Sequence, residues 1–162
     1  MEGPPGEPLS PLCRAYIYAI HGCLCEVLFV VLILDQDWVF RGPLSACPLL
    51  AYGTCGLALE GIYLRLRGDC CLLTRCALYT ACIYLWQLVA GCLLRGFGAC
   101  PWDHSRLRYN LLGLVALEHC LLWFVGALLL ERLVIALTLR LRLGPAWKPR
   151  QRPLPRFELT RD

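Results

Sequence analysis

Cys71-Leu-Leu-Thr-Arg75-Cys-Ala-Leu-Tyr-Thr-Ala-Cys-Ile-Tyr-Leu-Trp-Gln87-Leu-Val-Ala-Gly91-Cys-Leu-Leu94 carries no charged residue after Arg75. At 1.5 Å per helical residue such a run crosses the roughly 30 Å hydrocarbon core of a bilayer. Three further apolar stretches, at about 15–34, 46–66 and 110–138, have the same character. The four together predict an all-α membrane protein. Short connections between consecutive spans make neighbours antiparallel, which gives a four-transmembrane-helix antiparallel bundle.

Composition supports lipid as the solvent. Apolar residues make up 58% of the 162 and charged ones 17%, where soluble domains carry about 25% charged. Residues 1–13 form a Pro-rich tail expected to be disordered. Residues 14–142 hold the four spans, and residues 143–162 form a basic, Pro-rich tail. The first span follows Glu2 and Glu7 and is too long for the core of a cleaved signal peptide. Its connection to the second carries Trp38 and Phe40, and Trp102 follows the third span. All three are placed as interfacial anchors.

Positive charge sets the direction. The two tails and the second connection share one side and, with the span ends beside them (Arg14, Arg65, Arg75, Arg140 and Arg142), carry eleven Lys or Arg. The first and third connections carry four. Both termini are therefore expected to be cytoplasmic. The net charge of +4 is spread over connections and tails, with no basic domain, so nucleic acid is not an expected partner.

Every span contains a residue that hydrocarbon rejects. Counting depth from the span ends gives two layers. The outer one holds Glu26, Gln87, Glu118 and His119, and the inner one His21, Glu60, Glu131 and Arg132. Stripes at helical spacing aim these residues inward: Tyr18-Gly22-Glu26, Gly53-Gly56-Glu60-Tyr63, Thr80-Tyr84-Gln87-Gly91-Arg95, and Trp123-Ala127-Glu131. One reading is a site or path for a cation, a proton or a polar solute. The other is interhelical glue, with Arg132 or Arg65 holding Glu60 and Glu131, and Glu26 bonded to Gln87.

Twelve cysteines invite a metal or redox role, but none lie in zinc-type pairs, and most fall inside spans as small apolar residues. Cys47 and Cys100 stand on one side and are a candidate disulfide. Cys13, Cys70 and Cys71 stand at the opposite boundary and are candidates for palmitoylation. Cys100, Asp103 and His104 resemble half a metal site but read better as a turn and helix cap. No phosphate loop and no nucleophile elbow is present. The expectation is a protein without catalytic residues, metal or cofactor, whose partners are the bilayer and itself or other membrane proteins.

Tyr16-Ile-Tyr-Ala-Ile-His21-Gly22 with Cys25-Glu26, Tyr63-Leu-Arg-Leu-Arg67 and Ala99-Cys-Pro-Trp-Asp103 resemble the transmembrane protein 229 family. So do Gly113-Leu, Leu117-Glu118, Trp123-Phe, Gly126-Ala-Leu and Glu131. The likeness covers about residues 12–142 and is nearest the short B-type branch. It implies a multi-pass membrane protein of unsettled activity, akin to a broader ABC-transporter permease-like group. Gln87 stands where that pattern carries glutamate, Gly61 where it carries arginine, and His104 where it carries tyrosine.

Overall fold

The computed structural model of the chain describes residues 6–29, 46–100 and 102–144, with the side chains of residue 29 and residues 46–48 left out. The end of the first expected span, the connection with Trp38 and Phe40, and the basic tail beyond Gly144 lie outside the described residues.

The chain is mostly helical. Helix α1 runs Pro11–Phe29, α2 Ala46–Leu66 and α3 Leu72–Gly96. The last helical segment, α4, runs Leu117–Thr138 and changes pitch along its length. It opens as a 3-10 turn, continues as α-helix over Cys120–Leu129, widens to a π-helical stretch over Leu130–Ile135 and closes as Ala136–Thr138. Two of these helices, α3 and α4, are long and apolar enough to cross a membrane. Only 17% of each one's most apolar window is buried, so neither is the enclosed core helix of a soluble fold. Leu24, Leu85, Leu93, Leu121, Leu129 and Leu133 are each more than half exposed. So much apolar surface is stable where the surroundings are themselves apolar.

Two boundaries differ from the sequence expectation. Helix α1 begins at Pro11, inside the tail expected to be disordered. Ser10 caps it, its Oγ accepting from Cys13 N at 3.3 Å, and proline at the first helical position loses no needed donor. Upstream, the two-residue strand β1, Glu7–Pro8, pairs antiparallel with β4, Arg142–Leu143. The two ends of the helical domain therefore lie together.

The second correction concerns the fourth span, expected from residue 110. Residues 110–116 form a hairpin instead, with β2 (Asn110–Leu111) antiparallel to β3 (Val115–Ala116). Leu114 N bonds Leu111 O at 2.9 Å around Leu112 and Gly113, whose φ values are 55° and 67°. Two successive left-handed residues cannot belong to a right-handed helix. The Asn110 side chain fixes the turn, accepting from Gly113 N at 2.9 Å and donating to Leu107 O at 2.6 Å. Helix α3 ends at the expected place through Gly98, at φ 66°, with Gly98 N bonded to Arg95 O and Ala99 N to Leu94 O.

Helices α1 and α2 cross at near-backbone distance. A Cβ on Gly22 would stand 2.7 Å from Tyr52 Cβ, one on Gly53 2.8 Å from Ala15 O, and one on Gly56 would collide with Tyr18. The core gathers at the end where the tails meet, with Tyr18, Leu59, Cys76, Tyr79, Ala127 and Ile135 fully buried.

Candidate functional site: two buried arginine–glutamate–tyrosine clamps

The two inner glutamates are the buried acids of the described residues: Glu60 is 4% exposed and Glu131 2%. Each is held by an arginine and a tyrosine from the preceding helix. Glu60 Oε2 accepts from Arg14 Nε at 2.9 Å and from Tyr18 OH at 2.6 Å, joining α2 to α1. Glu131 Oε2 accepts from Arg75 Nε at 3.0 Å and from Tyr79 OH at 2.5 Å. Its Oε1 accepts from Arg75 NH2 at 2.6 Å, joining α4 to α3.

Both arginines stand at the fourth residue of their helix, and both tyrosines one turn further, so each pair shares a face. Each guanidinium also donates NH1 to a carbonyl before its own helix, Arg14 to Leu9 O and Arg75 to Cys70 O, both at 2.6 Å. The π-helical stretch of α4 opens with Leu130 and Glu131, the widened turn holding the carboxylate against Arg75. Desolvating a carboxylate and a guanidinium is costly. It is recovered only through good geometry and further hydrogen bonds, and the Glu131 clamp has more of these, through both carboxylate oxygens, than the Glu60 clamp, through one.

The residues expected to hold these acids do not. Arg65 and Arg132 are exposed, and the ion pairs go to Arg14 and Arg75 instead. The signal for them was present: Arg-x-x-x-Tyr occurs at 14–18 and again at 75–79, each time at the start of a helix. Counting those arginines only toward topology hid it. His21 lies outside the clamp, exposed, with Nδ1 2.8 Å from Ile17 O of its own helix.

The outer layer does not converge. Among the described residues no hydrogen bond or ion pair joins Glu26 to Gln87 or Glu118. Glu118 is exposed and serves the loop, its Oε1 accepting from Tyr109 N at 2.8 Å. Its expected depth followed from a span begun at residue 110, and it rises to the surface once that span starts at Leu117. Gln87 instead meets His104, with Nε2 atoms 3.3 Å apart, and His104 stands edge-on to His119 at 5.0 Å between ring centroids. Burial and the neighbouring His119 hold the His104 imidazole below its ordinary pKa, against an opposing pull from Asp103. Gln87 Oε1 and Trp102 Nε1 are buried without a partner among the described residues.

The polar stripe of α3 is therefore a docking face for the third connection. Tyr84 OH donates to Ala116 O at 3.0 Å and Arg95 NH1 to Leu112 O at 2.8 Å. Gly91 makes room for Leu114. A cleft of about 260 Å³ opens here, lined by Arg95, Gly98, Cys100, Trp102 and Asp103.

No group of three or more metal-ligating side chains occurs among the described residues. The side chain of Cys47 is not described, so its expected bridge to Cys100 falls outside them. Cys13 and Cys71 are exposed and Cys70 half-buried. The Cys71 thiol sits 3.2 Å from Thr74 Oγ1, and hydrogen bonds from Thr74 hold its pKa below the usual thiol value.

Residues 15–148 match the family described as "Putative ABC-transporter type IV". The chain belongs to that family. The match takes in Tyr18, Glu60, Arg75, Tyr79 and Glu131, and Arg14 lies one residue outside it. No solved structure matches the chain.

Proposed function

We propose that the protein is a multi-pass membrane component of a transport-type assembly. All four helices cross the bilayer, both termini face the cytoplasm, and the chain does no chemistry of its own. Its kinship to the transmembrane protein 229 family, carried by the residues quoted above, belongs to the same proposal. In this reading the single chain has no solute path. Membership of the transporter family supports the membrane role, and the eleven-to-four excess of cations on one side supports the orientation.

The observation that carries the reading is the closure of both deep carboxylates. A carboxylate that binds and releases a cation or proton needs free lone pairs and access. Glu60 and Glu131 are buried, and both oxygens of Glu131 and Oε2 of Glu60 are engaged by arginine and tyrosine within one helix pair. They fix helix crossings. Exchange with a solute would then belong to surfaces this chain forms with another subunit.

Purified protein in liposomes tests this. Proton, sodium and potassium flux should stay at the level of empty vesicles. Flux from the chain alone that disappears in Glu60→Gln or Glu131→Gln would overturn it. Glycosylation tags after Gly6 and within residues 35–43 test the orientation, and only the second should be modified.

A second reading, binding of a small polar solute at the opposite end, is favoured by one observation: the unpartnered Trp102 Nε1 among the cleft residues Arg95, Gly98, Cys100 and Asp103. Titration of Trp fluorescence with small zwitterions, in the parent and in Arg95→Gln, tests it. An unchanged signal in both removes this reading.

A further inference from the structure

The two clamps share three bonds in the same places, and the second adds a fourth, from Arg75 NH2 to Glu131 Oε1. Arginine Nε to glutamate Oε2 is 2.9 Å in one and 3.0 Å in the other. Tyrosine OH to the same oxygen is 2.6 and 2.5 Å, and arginine NH1 to the carbonyl five residues earlier is 2.6 Å in both. The correspondence continues along the helices. At a shift of 61 residues, Arg14, Tyr18 and Glu26 fall on Arg75, Tyr79 and Gln87, and the buried pair Tyr18–Ala19 falls on the buried pair Tyr79–Thr80. At a shift of 71, Gly56, Leu59 and Glu60 of α2 fall on Ala127, Leu130 and Glu131 of α4. The difference of ten residues lies between α3 and α4, where the β2–β3 hairpin is. One of the two outer polar residues, Glu26 or Gln87, thus stands at the same place in each unit.

We propose that the chain is two copies of one clamped helical hairpin, α1–α2 and α3–α4. The hairpins, and not the single helices, are the bodies that shift against each other when the protein changes shape. The proposal rests on the transport-type reading and names its moving parts. Each hairpin is locked by a buried ion pair, and α1–α2 also by contact through Gly22, Gly53 and Gly56. Its odd helices run the same way, so the two copies are related by rotation about an axis along the bundle. In membrane proteins with such repeats, one rocks against the other. The covalent joint is the exposed turn at Gly68, where an added Cβ would meet nothing within 4 Å. The β1–β4 pair lies at the same end, and the Trp86 Nε1 bond to Ala51 O, 3.0 Å, is the contact between hairpins that has to yield.

Distances between genetically encoded spin labels in the full-length protein, in nanodiscs, test this. Tyr16–Leu64 reports within the first hairpin, Leu78–Leu133 within the second, and Leu64–Leu133 between them, all at exposed positions. The between-hairpin distribution should be about twice as broad as either internal one, as expected of rigid bodies on a hinge. Glu60→Gln should broaden only Tyr16–Leu64, and Glu131→Gln only Leu78–Leu133. Equal widths for all three pairs in the parent protein, or broadening in the wrong hairpin, would overturn it. These widths are read without solute or flux, so the liposome experiment fails or succeeds independently of them.

Discussion

Replacing Arg75 by methionine removes the guanidinium from a carboxylate that is 2% exposed and leaves its charge without a counter-ion. Two of the three side-chain bonds to Glu131 vanish with it, those from Nε and NH2, and only the Tyr79 hydroxyl remains. Breaking a buried ion pair from one side costs about 3–5 kcal/mol. For a chain of this length that lowers the melting temperature by roughly 6–20 °C, at about 2–4 °C per kcal/mol. Differential scanning fluorimetry in detergent or nanodiscs reads such a shift directly. The same reasoning makes a second demand. An apolar substitute for the whole clamp, Arg75→Met with Tyr79→Phe and Glu131→Leu, leaves no buried charge and should melt within about 1 kcal/mol of the parent. If the single variant melts like the parent, the clamp is not the buried ion pair described. If the triple variant is as unstable as the single, the loss came from packing and the electrostatic argument fails.

The first clamp is engaged through one carboxylate oxygen and has a more exposed arginine, 19% against 9%, so Arg14→Met should cost less, about 2–3 kcal/mol by the same assay. Gly56→Ala forces a methyl group into Tyr18 and should destabilise by about 1–3 kcal/mol. Gly126→Ala meets nothing within 4 Å and should be neutral or stabilising by up to about 1 kcal/mol. Leu112 holds a φ of 55° while 63% exposed, and Leu112→Asn should raise stability by up to about 1 kcal/mol, because asparagine suits the first position of such a turn. His104 takes up its proton at lower pH in the folded chain than in the unfolded one, so the unfolded state binds more protons just below the ordinary histidine pKa. Stability should fall as pH drops through about 6.5, and His104→Asn should flatten that limb of the melting curve. An unchanged limb would remove His104 from its cause.

Helix periodicity made the interior faces legible. The α2 stripe at Gly53, Gly56 and Glu60 turns onto α1, while the α3 stripe from Tyr84 to Arg95, which its spacing aims inward, is covered by the third connection. The partners across those faces were not legible, because spacing along one helix says nothing about which residue arrives from another. Sequence nearness thus offers Glu60 to Arg65 or Arg132, while its partner Arg14 lies 46 residues away in sequence. The start of α4 was misread for a different reason. The run from Asn110 onward is apolar enough to be a span, and hydrophobic length outweighed the Asn110 and Gly113 turn signal that decides the backbone there. With that start went the depth of Glu118. The cap formed by Ser10 and Pro11 was equally readable and was lost inside a Pro-rich composition.

The pairing of Glu7–Pro8 with Arg142–Leu143 brings the beginning and end of the helical domain side by side. The domain is therefore close to a ring in covalent terms, with its seam at that small sheet. A chain opened at Gly68 and rejoined across the seam would present the α3–α4 half before the α1–α2 half. If the halves are copies of one unit, that reordered chain should fold to the same set of contacts, because neither half depends on being made first.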